Sequence, residues 1–73
     1  MENTKESTEK RDLQIGIFYE QLGRGEKGRF TAWLQLVTGY SMNTVLARLR
    51  GGGWSEAERD YIERGIGSGT WQA

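Results

Sequence analysis

The side chains of this chain that could bind an anionic partner are concentrated in its middle third. Residues 24–50 carry a net charge of +4, whereas residues 1–23 and 51–73 each carry a net charge of −2. The cations of this basic segment are Arg24, Lys27, Arg29, Arg48 and Arg50. A formal net charge of zero over 73 residues therefore conceals one basic segment between two acidic ones. This asymmetry predicts one face that attracts phosphates or other anions, although five cations in such a stretch also arise by chance.

The residue types present argue against catalysis. His and Cys are both absent, so the chain has no imidazole base, thiolate nucleophile, disulfide or zinc-finger ligand set. The acids are mostly on predicted helix surfaces, and no two of them form an evident catalytic pair. We therefore expect a protein that is not an enzyme, with no cofactor, no metal and no small-molecule substrate.

Apolar residues recur at helical spacing in four segments, and no stretch alternates as a half-buried strand would. The four sets are Ile15, Phe18, Tyr19 and Leu22; Phe30, Trp33, Leu34 and Val37; Met42, Val45, Leu46 and Leu49; and, more weakly, Ala57, Tyr61, Ile62 and Ile66. Trp33 and Trp54 are expected to fill the core, and Tyr40 to be half-buried with its hydroxyl outward. The predicted fold class is all-α, a small four-helix (helix-turn-helix) bundle.

Glycines and short polar residues mark the predicted helix ends. Gly39 is suited to close the second helix, and Ser41 to cap the third. Gly51, Gly52 and Gly53 follow the third helix, and Ser55 with Glu58 forms a capping box for the fourth. The predicted helices cover about residues 8–22, 27–38, 42–50 and 55–66. The predicted domain therefore spans residues 7–66, between a flexible tail at 1–6 and a flexible Gly-rich tail at 67–73. Trp71 is the exception, because an indole in a tail often packs back onto the domain.

The glycines at 23, 25 and 28 match the spacing of the dinucleotide-binding fingerprint, but their context does not. That fingerprint needs a preceding strand within a βαβ unit, and here an amphipathic helix precedes it. This segment is predicted to be a basic, Gly-rich connector. Its backbone N–H groups could hold a phosphate, or it could be a solvated connector only.

The second and third helices, joined by a turn of about three residues, have the arrangement of a helix-turn-helix. The segment from Thr31 to Gly51 resembles the helix-turn-helix of the lambda-repressor/Cro-like (XRE-type) DNA-binding family. The resemblance rests on residues at matching spacing: Leu34, Gly39-Tyr40-Ser41, Thr44-Val45 and Gly51. It implies that the helix at 42–50 lies in the major groove of DNA while its predecessor braces the backbone.

The outward face of the third helix offers side chains that suit base edges. Asn can bond adenine, Arg can bond guanine, and Ala can touch a thymine methyl group. The predicted base contacts are Asn43, Thr44, Ala47 and Arg48. The predicted phosphate contacts, which contribute affinity without sequence information, are Arg24, Lys27, Arg29, Ser41 and Arg50. Any exposed helix could also present such a surface.

Two functions from different classes follow. The first is a small DNA-binding transcriptional regulator that binds double-stranded DNA as a possible homodimer. The alternative is a protein-interaction module on the same scaffold, such as a phage or mobile-element inhibitor or an antitoxin-like partner. That module would use an outward face of the fourth helix formed by Glu56, Arg59, Asp60 and Glu63. No apolar run spans a membrane and no signal peptide is evident, so a cytoplasmic location is expected.

Overall fold

Four α-helices follow one another along the chain and are joined by connections of three or four residues. The computed structural model of the protein describes residues 4–72. The helices are α1 (Thr4–Glu20), α2 (Arg24–Thr38), α3 (Met42–Gly51) and α4 (Glu56–Ser68), followed by a short 3₁₀ helix at Thr70–Gln72. No strand occurs within residues 4–72. The predicted small all-α bundle is confirmed.

The core takes side chains from every helix and from the 3₁₀ helix. Its buried apolar residues are Ile15, Phe30, Leu34, Val45, Leu49, Trp54, Ile62 and Trp71. The Phe30 ring lies near the centre, with the rings of Phe18 and Trp71 both 5.3 Å away in edge-to-face arrangements. Edge-to-face packing is a preferred geometry of aromatic pairs. Trp54 fills the core as predicted, while Trp33 is half-buried and packs on its edge.

The predicted helix boundaries near the turns are confirmed by their capping geometry. Gly39 adopts the left-handed conformation with φ of 77° and ends α2. The Ser41 hydroxyl accepts a hydrogen bond from the Thr44 N–H at the start of α3. Ser55 and Glu58 exchange hydrogen bonds at the start of α4, which is the predicted capping box.

The glycine segment differs from its prediction, because Gly25 and Gly28 lie inside α2 and not in a connector. Gly23 is extended, and the Glu26 carboxylate accepts a hydrogen bond from its N–H at 3.1 Å. The Lys27 N–H then reaches the Gly23 carbonyl at 2.8 Å and closes the first turn. This N-terminal cap starts the helix about three residues earlier than predicted, despite the low helix propensity of glycine.

The C-terminal end of the packed unit differs from the predicted tail, while the flexibility of residues 1–6 stays a prediction. The N-terminal prediction for residues 1–6 lies partly outside the described residues, but α1 already begins at Thr4. At the other end α4 runs to Ser68, and Gly69, with φ of 75°, turns the chain back. Trp71 is only 4% exposed and contributes to the core. The segment predicted to be a flexible tail from residue 67 therefore completes the bundle, and residue 73 lies outside the described part.

The inward face of α4 includes a charge that the sequence analysis placed outward. Arg59 is only 4% exposed, and its guanidinium bonds the carboxylate of Asp12, which is itself buried. The side chain of Tyr61, predicted to face the core with the apolar set of α4, is exposed instead. The burial of Arg59 is tolerated because its charge has a partner, and unpaired charges are almost never fully buried.

Candidate nucleic-acid interface

An exposed stripe on α3 carries three of the residue types that read base edges. Asn43, Ala47 and Arg50 lie at positions i, i+4 and i+7 of one helix, and all three are exposed. Asn43 and Arg50 make no hydrogen bond or ion pair with another side chain that the structure describes. We call these three residues the α3 stripe. They lie on the side of α3 opposite Val45 and Leu49, which are buried in the core.

The turn before α3 holds that helix in place through local hydrogen bonds. The Thr38 hydroxyl donates to the Leu34 carbonyl at 2.6 Å and accepts from the Tyr40 N–H at 3.2 Å. Ser41 then caps α3, although its side chain remains at the surface. Thr44 is half-buried, and its hydroxyl bonds that of Ser41 at 3.2 Å. The predicted contacts Ser41 and Thr44 are thus part of the cap at the N-terminus of the candidate interface.

Arg48 is separated from the α3 stripe by its own contacts. Its guanidinium donates to the Gly53 carbonyl, in the connection between α3 and α4, and lies 5.0 Å from the centre of the Tyr40 ring. The first contact joins the last turn of α3 to the residues that follow it, and the second is a cation–π interaction. Both contacts draw the guanidinium towards the protein but leave further N–H donors, and the base contact of Arg48 stays a prediction. Arg50, predicted to contact a phosphate, lies on the stripe.

Tyr40 connects the turn before α3 to the start of α4. Its hydroxyl donates a hydrogen bond to the Glu58 carboxylate. This bond raises the pKa of Tyr40 above its ordinary value of 10.0, and burial acts in the same direction. Burial alone would raise the pKa of Glu58, but hydrogen bonds from Tyr40 and Ser55 outweigh it, so the pKa of Glu58 lies below its ordinary value. The two helix starts are therefore joined by a bond that depends on the charge of Glu58.

We expect Tyr40→Phe to flatten the pH dependence of stability. The lowered pKa means that ionised Glu58 stabilises the fold above its unfolded pKa, and that this contribution is lost as the pH falls through the lowered pKa. The raised pKa of Tyr40 means that its contribution is present at neutral pH and lost as the pH rises through that pKa. Urea unfolding at a series of pH values should show a shallower acid decline for Tyr40→Phe than for the wild type.

Tyr61→Phe is the matched control for this experiment, because Tyr61 is exposed and its hydroxyl bonds no described residue. Its stability should follow the wild-type pH curve. Parallel acid limbs for Tyr40→Phe and the wild type would show that the Tyr40–Glu58 bond does not couple to folding.

The remaining predicted phosphate contacts lie on α2. Arg24 and Arg29 are exposed, and the structure shows neither in an ion pair with a described residue. Lys27 is half-buried, with its ammonium 3.6 Å from the Glu20 carboxylate and 5.4 Å from the centre of the Tyr19 ring. Two of the three cations are therefore available at the surface, and they project from a helix and not from a loop.

The acidic flanks of the sequence are partly neutralised within the fold. Arg11 pairs with Asp60 at 2.7 Å and with Glu63 at 2.6 Å, which raises the pKa of its guanidinium. Arg59 pairs with Asp12 at 2.7 Å. The fourth helix therefore presents less free negative charge than its sequence indicates, because Asp60 and Glu63 are engaged by a residue of α1. Glu9 of α1 and Arg50 line the same groove.

Sequence reasoning missed the Asp12–Arg59 pair, although the pattern contained a signal for it. Each residue lies three positions before a buried isoleucine of its own helix, Ile15 or Ile62. Position i−3 lies on the same face as position i, so both charges fall on the inward stripe. An acid and a base at inward positions of two helices indicate a buried pair.

Comparison with known proteins finds no family model, no curated protein and no solved structure that matches the chain. None of the helices within residues 4–72 has both the length and the apolar character needed to cross a bilayer. Among the same residues, no three acids cluster in a way that could hold a metal ion.

Proposed function

We propose that the chain is a small DNA-binding regulator that acts in the cytoplasm and inserts α3 into the major groove of double-stranded DNA. The observation that carries this proposal is the α3 stripe, in which Asn43, Ala47 and Arg50 are exposed on a helix that a tight, capped turn joins to α2. The resemblance of residues 31–51 to the lambda-repressor/Cro-like helix-turn-helix supports the same mode of binding.

Each member of the stripe has a defined role in this proposal. The Asn43 amide bonds an adenine, the Arg50 guanidinium bonds a guanine, and the Ala47 methyl group contacts a thymine methyl group. Ala47 is also short enough to let the helix axis approach the groove. Thr44 and Ser41, at the start of α3, approach the sugar-phosphate backbone beside the bases. The Arg48 guanidinium donates to the Gly53 carbonyl in the connection to α4, so the positive charge of Arg48 lies away from the stripe.

Arg24 and Arg29 supply electrostatic affinity through phosphates, with Lys27 contributing less because Glu20 already neutralises part of its charge. Each phosphate contact releases a counterion, so the affinity falls as the salt concentration rises. A homodimer would double these contacts and fix the spacing of two half-sites.

We expect Arg50→Ala to reduce discrimination at one base pair of a selected DNA site by about 1–3 kcal/mol, since it removes a bidentate guanine contact. Asn43→Ala should act similarly at a different base pair. The sites would be selected from a random duplex library, and affinities measured by fluorescence anisotropy at two salt concentrations. An NMR titration with the same duplex should shift the amides of residues 42–51.

Two variants serve as controls for that measurement. Arg64→Ala removes an exposed arginine of α4, away from the α3 stripe, and should change neither affinity nor specificity. Arg29→Ala should weaken binding equally for all sequences and lower the salt slope by about one. If no amide in residues 24–51 shifts with duplex DNA at low salt, the DNA-binding proposal is wrong.

A protein-interaction module is the second candidate, and one observation favours it. Leu36, on the outer side of α2, is 83% exposed, and Val37 and Met42 are also exposed on either side of the turn. Exposed apolar clusters mark binding surfaces for protein partners. In this alternative the chain is an inhibitor or antitoxin-like partner of a phage or mobile element. Leu36→Ser would then abolish partner binding, whereas it should leave binding to DNA unchanged.

A further inference from the structure

The outward face of α1 carries an exposed stripe with the spacing of a coiled-coil seam. Its members are Lys10, Leu13, Ile17 and Glu20, at positions i, i+3, i+7 and i+10. Alternating steps of three and four residues define the a and d positions of a heptad. Leu13 is 61% exposed and Ile17 is 40% exposed, although apolar residues at such positions normally face a partner helix. We call these four residues the α1 seam.

The α1 seam is complementary to itself when read in the opposite direction. Its order is cation, apolar, apolar, anion, so an antiparallel copy centred on residue 15 places Lys10 opposite Glu20 and Leu13 opposite Ile17. This register pairs an a position with a d position at every layer, as antiparallel helix pairs do. A parallel copy would instead oppose Lys10 to Lys10 and Glu20 to Glu20, and like charges across a helix interface are destabilising. From this complementarity we propose that two copies of the chain associate through antiparallel pairing of their α1 helices.

A groove beside the α1 seam could accept Leu13 of the second copy in this antiparallel pair. Its volume is about 380 Å³, and its apolar lining includes Ile17, Phe18 and Ile66 between α1 and α4. Leu13 of the second copy, opposite Ile17, enters this groove as a knob enters a hole. The two-fold symmetry of the pair repeats the same contact on the other side, which makes the interface isologous.

The charged groups that face the seam favour the same occupant. Glu63 lines the groove, but both its carboxylate oxygens accept hydrogen bonds from Arg11, which lowers the desolvation cost of packing an apolar side chain beside it. Glu20 lies 3.6 Å from Lys27 of its own chain and remains 68% exposed, so it can accept a second cation. Among the acids of α1 whose side chains the structure describes, Glu9 is exposed beside the seam and is level with the uncharged Gln21 of the second copy.

The seam is short, which sets the strength of the association. Two apolar layers and two ionic layers bury less than the roughly 1,200 Å² at which stable interfaces begin. We therefore expect a weak dimer with a dissociation constant of roughly micromolar or above. The association does not depend on DNA, so it is measured on the protein alone.

Sedimentation equilibrium of the full chain tests the pairing through charge reversal. The apparent mass of the wild type should rise from the 8.3 kDa of one chain towards twice that value with increasing concentration. Lys10→Glu opposes two acids in each of the two ionic layers and should weaken association about tenfold. Combining Lys10→Glu with Glu20→Lys restores opposite charges and should recover most of the wild-type association.

Disulfide trapping tests the antiparallel register. Because the chain has no native Cys, the introduced cysteines can form disulfides only with each other. Leu13→Cys and Ile17→Cys variants of different mass are mixed and oxidised. The antiparallel register predicts that the mixed disulfide between positions 13 and 17 forms faster than either homodisulfide. A parallel pair would give the homodisulfides first.

Leu36→Ser is the matched control, because it removes an exposed leucine from α2 and not from the seam. It should leave the association unchanged, whereas Leu13→Ser should abolish it, with thermal unfolding confirming that both variants fold. The proposal is overturned by a monomer at all concentrations, by homodisulfides forming first, or by association that responds to Leu36→Ser and not to Leu13→Ser. Each of these results can be obtained whether or not the chain binds DNA.

Discussion

Asp12→Ala is expected to lower the free energy of unfolding by about 3–5 kcal/mol, because it leaves a buried guanidinium without its counter-ion. The Asp12 carboxylate accepts hydrogen bonds from Arg59 Nε at 2.7 Å and from the Gly53 N–H at 3.0 Å. Both side chains are almost fully buried, at 7% and 4% exposure. Little water reaches the pair, so Arg59 must either stay without a counter-ion or leave the core.

The loss extends to the connection between α3 and α4. Arg59 also donates to the Trp54 carbonyl at 2.6 Å, so Asp12 and Arg59 together hold both Gly53 and Trp54 of that connection. A domain of this size has only about 3–5 kcal/mol of stability from its core. Asp12→Ala should therefore be largely unfolded at 25 °C, as measured by urea unfolding followed by circular dichroism.

Two further variants separate the buried pair from a general effect of charge removal. Asp60→Ala breaks the exposed Arg11–Asp60 pair and should change stability little, because exposed ion pairs contribute little. Adding Arg59→Met to Asp12→Ala removes the unpaired charge and should recover part of the lost stability. A loss of less than about 1 kcal/mol for Asp12→Ala would mean that the pair is hydrated in solution.

The helices and their caps could be predicted because the signals for them are local. The left-handed Gly39, the Ser41 cap and the Ser55–Glu58 box each depend on residues within four positions of one another. The apolar spacing that predicts each helix covers only two turns. The predicted apolar face of α4 was only partly right, because Tyr61 is exposed. The helical period was predicted correctly, but the buried stripe is narrower than the predicted one.

The long-range contacts could not be predicted from such local signals. Asp12 and Arg59 are 47 positions apart, and a lone arginine on an amphipathic helix is normally solvated. Trp71 packs back onto the domain as expected, but nothing in the neighbouring sequence indicates that its indole reaches Phe18 and Phe30. These contacts appear only when all four helices are placed together, which requires the tertiary fold.

The candidate site was predictable only where it depends on local signals. Helical periodicity alone places Asn43 and Ala47 outward, and the structure shows both exposed. Arg50 lies on the stripe, whereas Arg48 bonds Gly53 and lies over the Tyr40 ring, and neither of these contacts follows from the sequence of α3. Two residues apart on a helix, their side chains point about 200° apart, so they cannot share one face.

Gly16→Ala is expected to destabilise the fold by about 1–3 kcal/mol, even though alanine is the better helix former. A Cβ atom at position 16 would lie 2.6 Å from the Leu49 carbonyl oxygen, which belongs to the backbone of α3. A backbone atom in a helix cannot rotate away as a side chain can, so α1 and α3 would have to separate. That separation would loosen Ile15 and Leu49 in the core.

Gly28→Ala is the matched control, because Gly28 is also inside a helix but a Cβ there meets nothing within 4 Å. It should stabilise the protein by roughly 0.5–1 kcal/mol through helix propensity alone. The same substitution thus has opposite signs at two helical glycines, and only the approach of α1 to α3 distinguishes them. Thermal and urea unfolding of both variants measure the difference. If Gly16→Ala were as stable as Gly28→Ala, the two helices would not be in the close contact that positions α3 and its exposed stripe.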